Sequence, residues 1–150
     1  MVYRSTKTWG YDVGLSCAFR QWRADSHCRL IHGYALSVSL EFEADSLDQR
    51  NWVIDFGSLK PIKAWLQEEF DHRFLVAGDD PNLLLFMQMD AEGVAKVNVV
   101  QNVGCEAFAK LIAEHVGSWL HTEGYWPRVV LNSVEVREHG ANSALYVRDR

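Results

Sequence analysis

Residues 26 to 34 read Ser-His-Cys-Arg-Leu-Ile-His-Gly-Tyr and lead directly into the segment Ala35 to Glu43. This stretch sets a thiol, Cys28, four residues before an imidazole, His32, with a glycine and a phenol directly after it. From position 34 to 42 the even residues are apolar or aromatic, whereas the odd ones include Ser37, Ser39 and Glu41. An alternation with period two is typical of a strand with one buried face. The stretch therefore predicts reactive side chains at the start of a strand.

A weaker alternation precedes this strand. Val13, Leu15, Cys17 and Phe19 alternate with small or polar residues, which predicts a second strand. The polar segment 20–26 would join the two strands as the long tip of a hairpin. Because functional residues are often carried on such loops, we expect the tip to be functional.

Helical spacing of apolar residues follows in two places. One run predicts a helix over about 58 to 69, which Ser58 can cap and which has Pro61 in its first turn. A second run from Phe108 to Trp119 predicts a helix that ends near Gly124. Strands over 128–138 and 144–148 would close the chain. The predicted fold class is α+β, with two helices backing a four-stranded sheet.

Composition narrows the classes of protein that the chain can represent. A chain of 150 residues with 48% hydrophobic residues fits one folded domain, 1–150, because it contains no linker or repeat. The formal net charge of -5 gives no basic footprint for nucleic acid. No apolar run approaches the length of a membrane span, and the N-terminus lacks a signal-peptide core. Three scattered cysteines indicate reduced thiols, so we expect a cytoplasmic protein.

Five segments, in order, resemble motifs of the family of 6-pyruvoyl- and 6-carboxy-tetrahydropterin synthases. They are Leu15 to Phe19, Cys28 to Tyr34, Asp55 to Lys60, Asp71-His72 and Val136 to Glu138. The resemblance implies the tunnelling fold, an antiparallel sheet with both helices on one face. It also implies a homo-oligomer, a homohexamer built as a dimer of trimers, in which hairpins of several subunits close a barrel around active sites at subunit interfaces.

The resemblance also implies roles for individual residues. Cys28 would move protons on the substrate side chain, and Asp71 with His72 would relay protons from another subunit. Glu138 would anchor a pterin, and Cys105 and Glu106 lie in the segment that touches the pterin edge. Judged without the family, Cys28 reads as a small core residue, Asp71-His72 as a helix-end cap and Glu138 as a solvated strand residue.

The chain departs from the family at the zinc ligands. The family holds a catalytic zinc with three histidines, and the matching positions here are Phe19, His32 and Tyr34. Phenylalanine has no lone pair to offer and tyrosine is a poor zinc ligand, so the standard site is absent. A rearranged site that uses His32 and His27 with Cys17 or Cys28 stays open, as does a site without metal.

The implied function is a lyase of the 6-carboxytetrahydropterin synthase type, which acts on 7,8-dihydroneopterin triphosphate or a related pterin on the route to queuosine. Two alternatives stay open: a metal-free, aldolase-like pterin enzyme and a non-catalytic pterin-binding oligomer. If zinc is absent, Arg20, Arg23, His27 or Tyr34 would have to stabilise the substrate oxygens. The segment 79–100 is longer than expected for the bacterial carboxy-type enzymes of this family and could cover or alter a substrate channel.

Overall fold

A computed structural model describes residues 1–149 of the chain. In chain order the elements are β1 (Tyr3–Trp9), β2 (Leu15–Phe19), β3 (His32–Ala44), α1 (Lys60–Phe70), β4 (Arg73–Ala77), α2 (Leu83–Ala91), β5 (Val97–Val100), α3 (Cys105–Thr122), β6 (Val129–His139) and β7 (Asn142–Val147). The α+β class is confirmed, and all six predicted elements are present with shifts of a few residues at their ends.

The prediction of four strands and two helices gives too few elements. The sheet has seven strands, because β1, β4 and β5 join the predicted four, and α2 is a third helix. Strand β1 is mostly exposed and polar, so it shows little apolar alternation. Strand β4 is a short apolar run, and such runs cannot be separated from helix by periodicity alone.

Strand β3 is the centre of the sheet. Strands β1 and β2 follow one another along one side of it, and β6 with β7 beyond it lie on the other side. These pairs are all antiparallel, as predicted. Strands β4 and β5 extend the sheet beyond β2 in parallel, so the complete sheet is mixed.

One large core holds the sheet to α1 and α3. Ile62 and Phe70 of α1 and Phe108 and Ile112 of α3 are fully buried in the same cluster as Leu36 of β3. Burying side chains of this size stabilises the fold by about 1.5–3 kcal/mol each. A second, small cluster packs Phe86 of α2 against Phe74 and Val76 of β4. Since Leu75 lies in the large core, α2 covers the opposite face of β4, and only α1 and α3 share one face as predicted.

Gly33 explains how β2 and β3 approach so closely at the tip of the hairpin. A Cβ at this position would lie 2.5 Å from the carbonyl oxygen of Cys17, which is too close for any other residue. The glycine between His32 and Tyr34 is therefore required by packing. No helix within residues 1–149 is long and apolar enough to cross a membrane.

Candidate active site

Cys28 lies on a short helical turn, His27–Arg29, between β2 and β3. The Ser26 hydroxyl caps this turn by accepting a hydrogen bond from the Cys28 amide at 3.4 Å. The Cys28 carbonyl accepts a second hydrogen bond, at 2.9 Å, from the amide of Gln21 at the start of the tip. These two bonds hold a half-buried thiol at the mouth of the hairpin.

A cavity of about 590 Å³ opens beside this thiol, which is within the size range of small-molecule sites. Six of the predicted site residues line it: Cys28, His32, Tyr34, Cys105, Glu106 and Glu138. They come from the hairpin, the start of α3 and the end of β6. The fold thus brings together residues separated by more than a hundred positions in sequence.

One end of the cavity, the carboxylate end, consists of Glu138, Glu106, Cys105 and Asn142. Asn142 donates to Oε1 of Glu138 at 3.1 Å, and the Cys105 thiol lies 3.9 Å from Oε2. Burial, together with the charges of Glu138 and Glu106, raises the pKa of Cys105 to about 12, so this thiol stays protonated. The side chain of Glu138 is 22% exposed, which leaves its oxygens accessible to further donors.

The start of α3 is shaped by Gly104. This residue precedes Cys105 with φ of 108°, a region that favours glycine. Because Gly104 has no side chain, only backbone lines the cavity at this position.

The other end of the cavity, the aromatic end, consists of Phe19, His32 and Tyr34. Phe19 lies directly opposite His32 across the two strands, and its ring centroid is 5.0 Å from His32 and 6.0 Å from Tyr34. Nδ1 of His32 is 2.7 Å from the carbonyl oxygen of Leu30, which fixes this nitrogen as the protonated one. Partial burial, then the nearby Glu138 and Cys28, raises the pKa of Tyr34, so its phenol stays neutral.

The donors at the aromatic end do not fit a zinc ion. Within residues 1–149, no three His, Cys, Asp or Glu side chains form a group that could hold a metal. Burial raises the pKa of Cys17 to about 12, so this thiol lacks the charge that zinc prefers. His27 is exposed and does not line the cavity. The structure therefore does not assemble the rearranged site drawn from Cys17, His27, Cys28 and His32.

Comparison with known proteins decides the family. The model of the 6-pyruvoyl tetrahydropterin synthase family matches residues 11–149, nearly the whole chain. The chain belongs to the 6-pyruvoyl tetrahydropterin synthase family.

Relatives agree with this assignment. The 6-carboxy-5,6,7,8-tetrahydropterin synthase of Aquifex aeolicus (strain VF5) is 24% identical over 136 residues, which cover 89% of this chain and 83% of that protein. An uncharacterized protein from Wolinella succinogenes has the same fold, with a TM-score of 0.83, 22% identity and 99% of each chain covered. Plasmodium falciparum 6-pyruvoyl tetrahydropterin synthase gives a TM-score of 0.74 at 14% identity, with 98% of each chain covered. The tunnelling fold is thus confirmed.

The predicted proton-relay pair, Asp71 and His72, lies outside this cavity. His72 lines a groove of about 490 Å³ together with Ser16, Ala18, Gly33 and Ala35. Ser16 and Ala18 alternate along β2 with the cavity residue Phe19, so the groove lies on the opposite face of the hairpin. Within one chain, Cys28 and His72 are therefore not brought together.

Asp71 and His72 nevertheless form an ordered pair. Nδ1 of His72 is 2.9 Å from Oδ1 of Asp71, and the His72 side chain is 88% exposed. The His72 backbone has φ of 54°, a left-handed value that only a few per cent of non-glycine residues adopt. The fold thus presents an oriented imidazole outward, where a second molecule could use it.

Two arginines that were candidates for oxygen stabilisation are engaged in the fold. Arg20 binds both oxygens of Asp80, at 2.8 and 2.7 Å, and Asp80 is buried. Arg23 pairs with Asp79 at 2.8 Å. Both aspartates precede α2, so two ion pairs connect the start of the segment 79–100 to the loop that carries Cys28. Each guanidinium already has a carboxylate partner, so neither is a free donor in this chain, and their role towards the substrate stays a prediction.

Sequence reasoning missed two residues that complete the site. Asn142 orients Glu138 from the start of β7, and Asp80 anchors Arg20 from the segment 79–100. Neither pair has a local signal, because the partners are 4 and 60 residues apart and belong to no periodic pattern. The length of the segment 79–100 was the one available hint.

Proposed function

We propose that the chain is a lyase of the 6-carboxytetrahydropterin synthase type, acting on 7,8-dihydroneopterin triphosphate or a pterin of similar form. One observation carries this proposal: a half-buried thiol, Cys28, and an accessible carboxylate, Glu138, line the same cavity. Such an enzyme would serve pterin or deazapurine biosynthesis, on the route to queuosine.

Glu138 has the properties needed to hold the pterin ring. A carboxylate has about four acceptor positions, and Asn142 and Cys105 use only part of this capacity. The amino group and the neighbouring ring N–H of a pterin are two parallel donors that fit such a carboxylate. Because Cys105 is protonated, it adds no second negative charge beside Glu138.

Cys28 would then face the side chain at C6 of the ring. Its thiolate would take a proton from a side-chain carbon to become a thiol, and the electron pair of that C–H bond would stay on the substrate. The same thiol returns the proton at a later step, so the residue ends unchanged. General acid–base catalysis of this kind contributes about 10²–10⁴-fold to a rate.

The Asp71-His72 pair of a second copy would complete the site in a homohexamer. The outward orientation of His72 supports this arrangement. Strands β1 and β7 also each pair on one side only within residues 1–149, which leaves edges that a neighbouring subunit can extend.

An aldolase-like reaction without metal is the second candidate. The donors at the aromatic end favour it, because Phe19 and Tyr34 stand where zinc ligands are expected. Retro-aldol cleavage of a polyol side chain needs a base, an acid and oriented hydrogen bonds, which side chains can supply.

Two substitutions test the proposal on the full-length protein. Glu138→Gln should weaken binding of 7,8-dihydroneopterin about 10- to 100-fold, because a charge-assisted contact is lost. Cys28→Ala should leave binding unchanged and lower turnover of the triphosphate at least 100-fold.

Glu135→Gln is the matched control, since Glu135 lies on the same strand outside the cavity. Unchanged affinity in Glu138→Gln would contradict the proposed pocket. Binding without any turnover that depends on Cys28 would leave the protein as a pterin-binding oligomer.

A further inference from the structure

The aromatic end places two polar groups side by side at the mouth of the cavity. His32 and Tyr34 are two residues apart on β3, so their side chains project from the same face of the strand. Their rings are 5.5 Å apart, and both line the cavity that holds Cys28. A ligand that fills this cavity therefore lies beside Cys28 and both of these groups.

Packing fixes the orientation of both rings. Phe19 contacts both of them, and it is itself held edge-on against Phe108 at 5.2 Å. The ring of His139 lies 5.9 Å from Tyr34 on the other side. Rings held in this way provide hydrogen-bonding groups in set positions, and little conformational freedom is lost when a ligand binds.

The two groups have complementary hydrogen-bonding capacity. The phenol of Tyr34 lines the cavity and carries an O–H donor. The carbonyl of Leu30 accepts a hydrogen bond from Nδ1–H of His32, and in this tautomer Nε2 is an acceptor. A donor beside an acceptor suits a hydroxyl group, which can accept one hydrogen bond and donate another.

We propose that Tyr34 and His32 together bind the side-chain hydroxyls of a pterin, in the place where a zinc ion would otherwise bind those oxygens. This inference rests on the proposed function and adds to it the part of the ligand that the aromatic end recognises. The ligand class is a pterin with a polyol chain at C6. Recognition there depends on one donor and one acceptor side chain and needs no ion.

The test compares two fluorescent ligands: neopterin, which has a trihydroxypropyl chain, and pterin, which has none. Tyr34→Phe should weaken neopterin binding about tenfold, the effect of one hydrogen bond to a ligand, while pterin binding stays within about twofold. His32→Asn, which can keep the bond to Leu30 but lacks Nε2, should show the same selectivity. Tyr11→Phe is the matched control, because Tyr11 is exposed and outside the cavity.

The outcomes separate this inference from the proposed function. Equal loss for both ligands, or no loss, in both Tyr34→Phe and His32→Asn would overturn the inference and leave the pocket assignment intact. Stoichiometric zinc in the wild-type protein, with neopterin affinity lost on chelation, would also overturn it. Failure of the wild type to bind either ligand, or no effect of Glu138→Gln on both, would overturn the proposed function and the inference with it.

Discussion

The carboxylate end and the aromatic end of one cavity differ in how they relate to the family. At the carboxylate end Glu138 keeps the position that the family motif gives it, and Asn142 and Cys105 surround it with donors. At the aromatic end two expected zinc ligands are replaced by Phe19 and Tyr34, which pack into a cluster of rings. Under the proposed function, the pterin ring and its side chain are therefore bound by separate sets of residues.

The largest effect is expected from reversing the aromatic end. Phe19→His combined with Tyr34→His would restore three imidazoles on one face, the usual set of protein ligands for a catalytic zinc. The wild type should carry far less than one zinc per chain after purification with added zinc. The double variant should carry about one, measured by elemental analysis.

The single variant Tyr34→His is the control for this experiment, because two imidazoles leave the set incomplete. A thermal melt shows whether burying an imidazole at position 19 has unfolded the protein. One equivalent of zinc in the wild type would contradict the account, because the aromatic end would then hold a metal despite Phe19 and Tyr34.

The next effect compares a cysteine from each end. The pKa of Cys105 is raised to about 12, and Cys105 is buried, whereas Cys28 is half buried on a surface turn. At pH 8 only about 10⁻⁴ of a thiol with such a pKa is thiolate, the form that alkylating reagents attack. Iodoacetamide followed by peptide mass spectrometry should therefore modify Cys28 at least about 100-fold faster than Cys105.

Bound neopterin should protect Cys28 from the reagent, and Cys28→Ala should remove the fast reaction. Equal rates for the two cysteines would show that the carboxylate end is more open than its contacts indicate.

The smallest effect concerns the ion pair between Arg20 and Asp80, which connects the Cys28 loop to the segment 79–100. Asp80→Asn breaks a carboxylate–guanidinium pair whose carboxylate is buried, which should lower the free energy of unfolding by about 2 kcal/mol. Turnover should fall, while pterin affinity at the carboxylate end stays unchanged. Urea unfolding and the two-ligand titration measure these effects.

The same pair predicts a pH dependence. The hydrogen bond from Arg20 lowers the pKa of Asp80 below its ordinary value of 3.8. A carboxyl whose folded-state pKa is lowered contributes stability above its unfolded pKa and loses it as the pH falls through the folded value. The difference between wild type and Asp80→Asn should therefore be full at pH 7 and shrink below about pH 3.8. Asp79→Asn is the control, because that exposed pair should contribute less than about 1 kcal/mol at any pH.

Much of the fold and of the candidate site could be predicted from the sequence. The signals used were periodic patterns within single elements and the order of motifs along the chain. The alternation in β3 and the helical spacing in α1 and α3 each reflect one buried face. Cys28 and Glu138 were candidates because the motifs that contain them keep their order along the chain, and both line the same cavity.

The remainder depends on contacts between distant segments. Strands β4 and β5 are short and owe their place to parallel pairing with β2, which no periodicity encodes. The role of Arg20 depends on Asp80, 60 residues away, and the sequence alone suggested a ligand contact instead. The packing of Phe19 against His32 and Tyr34 became visible only when the two strands were paired.

The most direct measurement is a crystal structure of the protein with 7,8-dihydroneopterin bound. The account predicts the ring amino group within hydrogen-bonding distance, about 2.7–3.2 Å, of a Glu138 oxygen, with the polyol chain between Cys28, His32 and Tyr34. A pterin bound outside this cavity, or one in it with its side chain directed away from Cys28, would contradict the account.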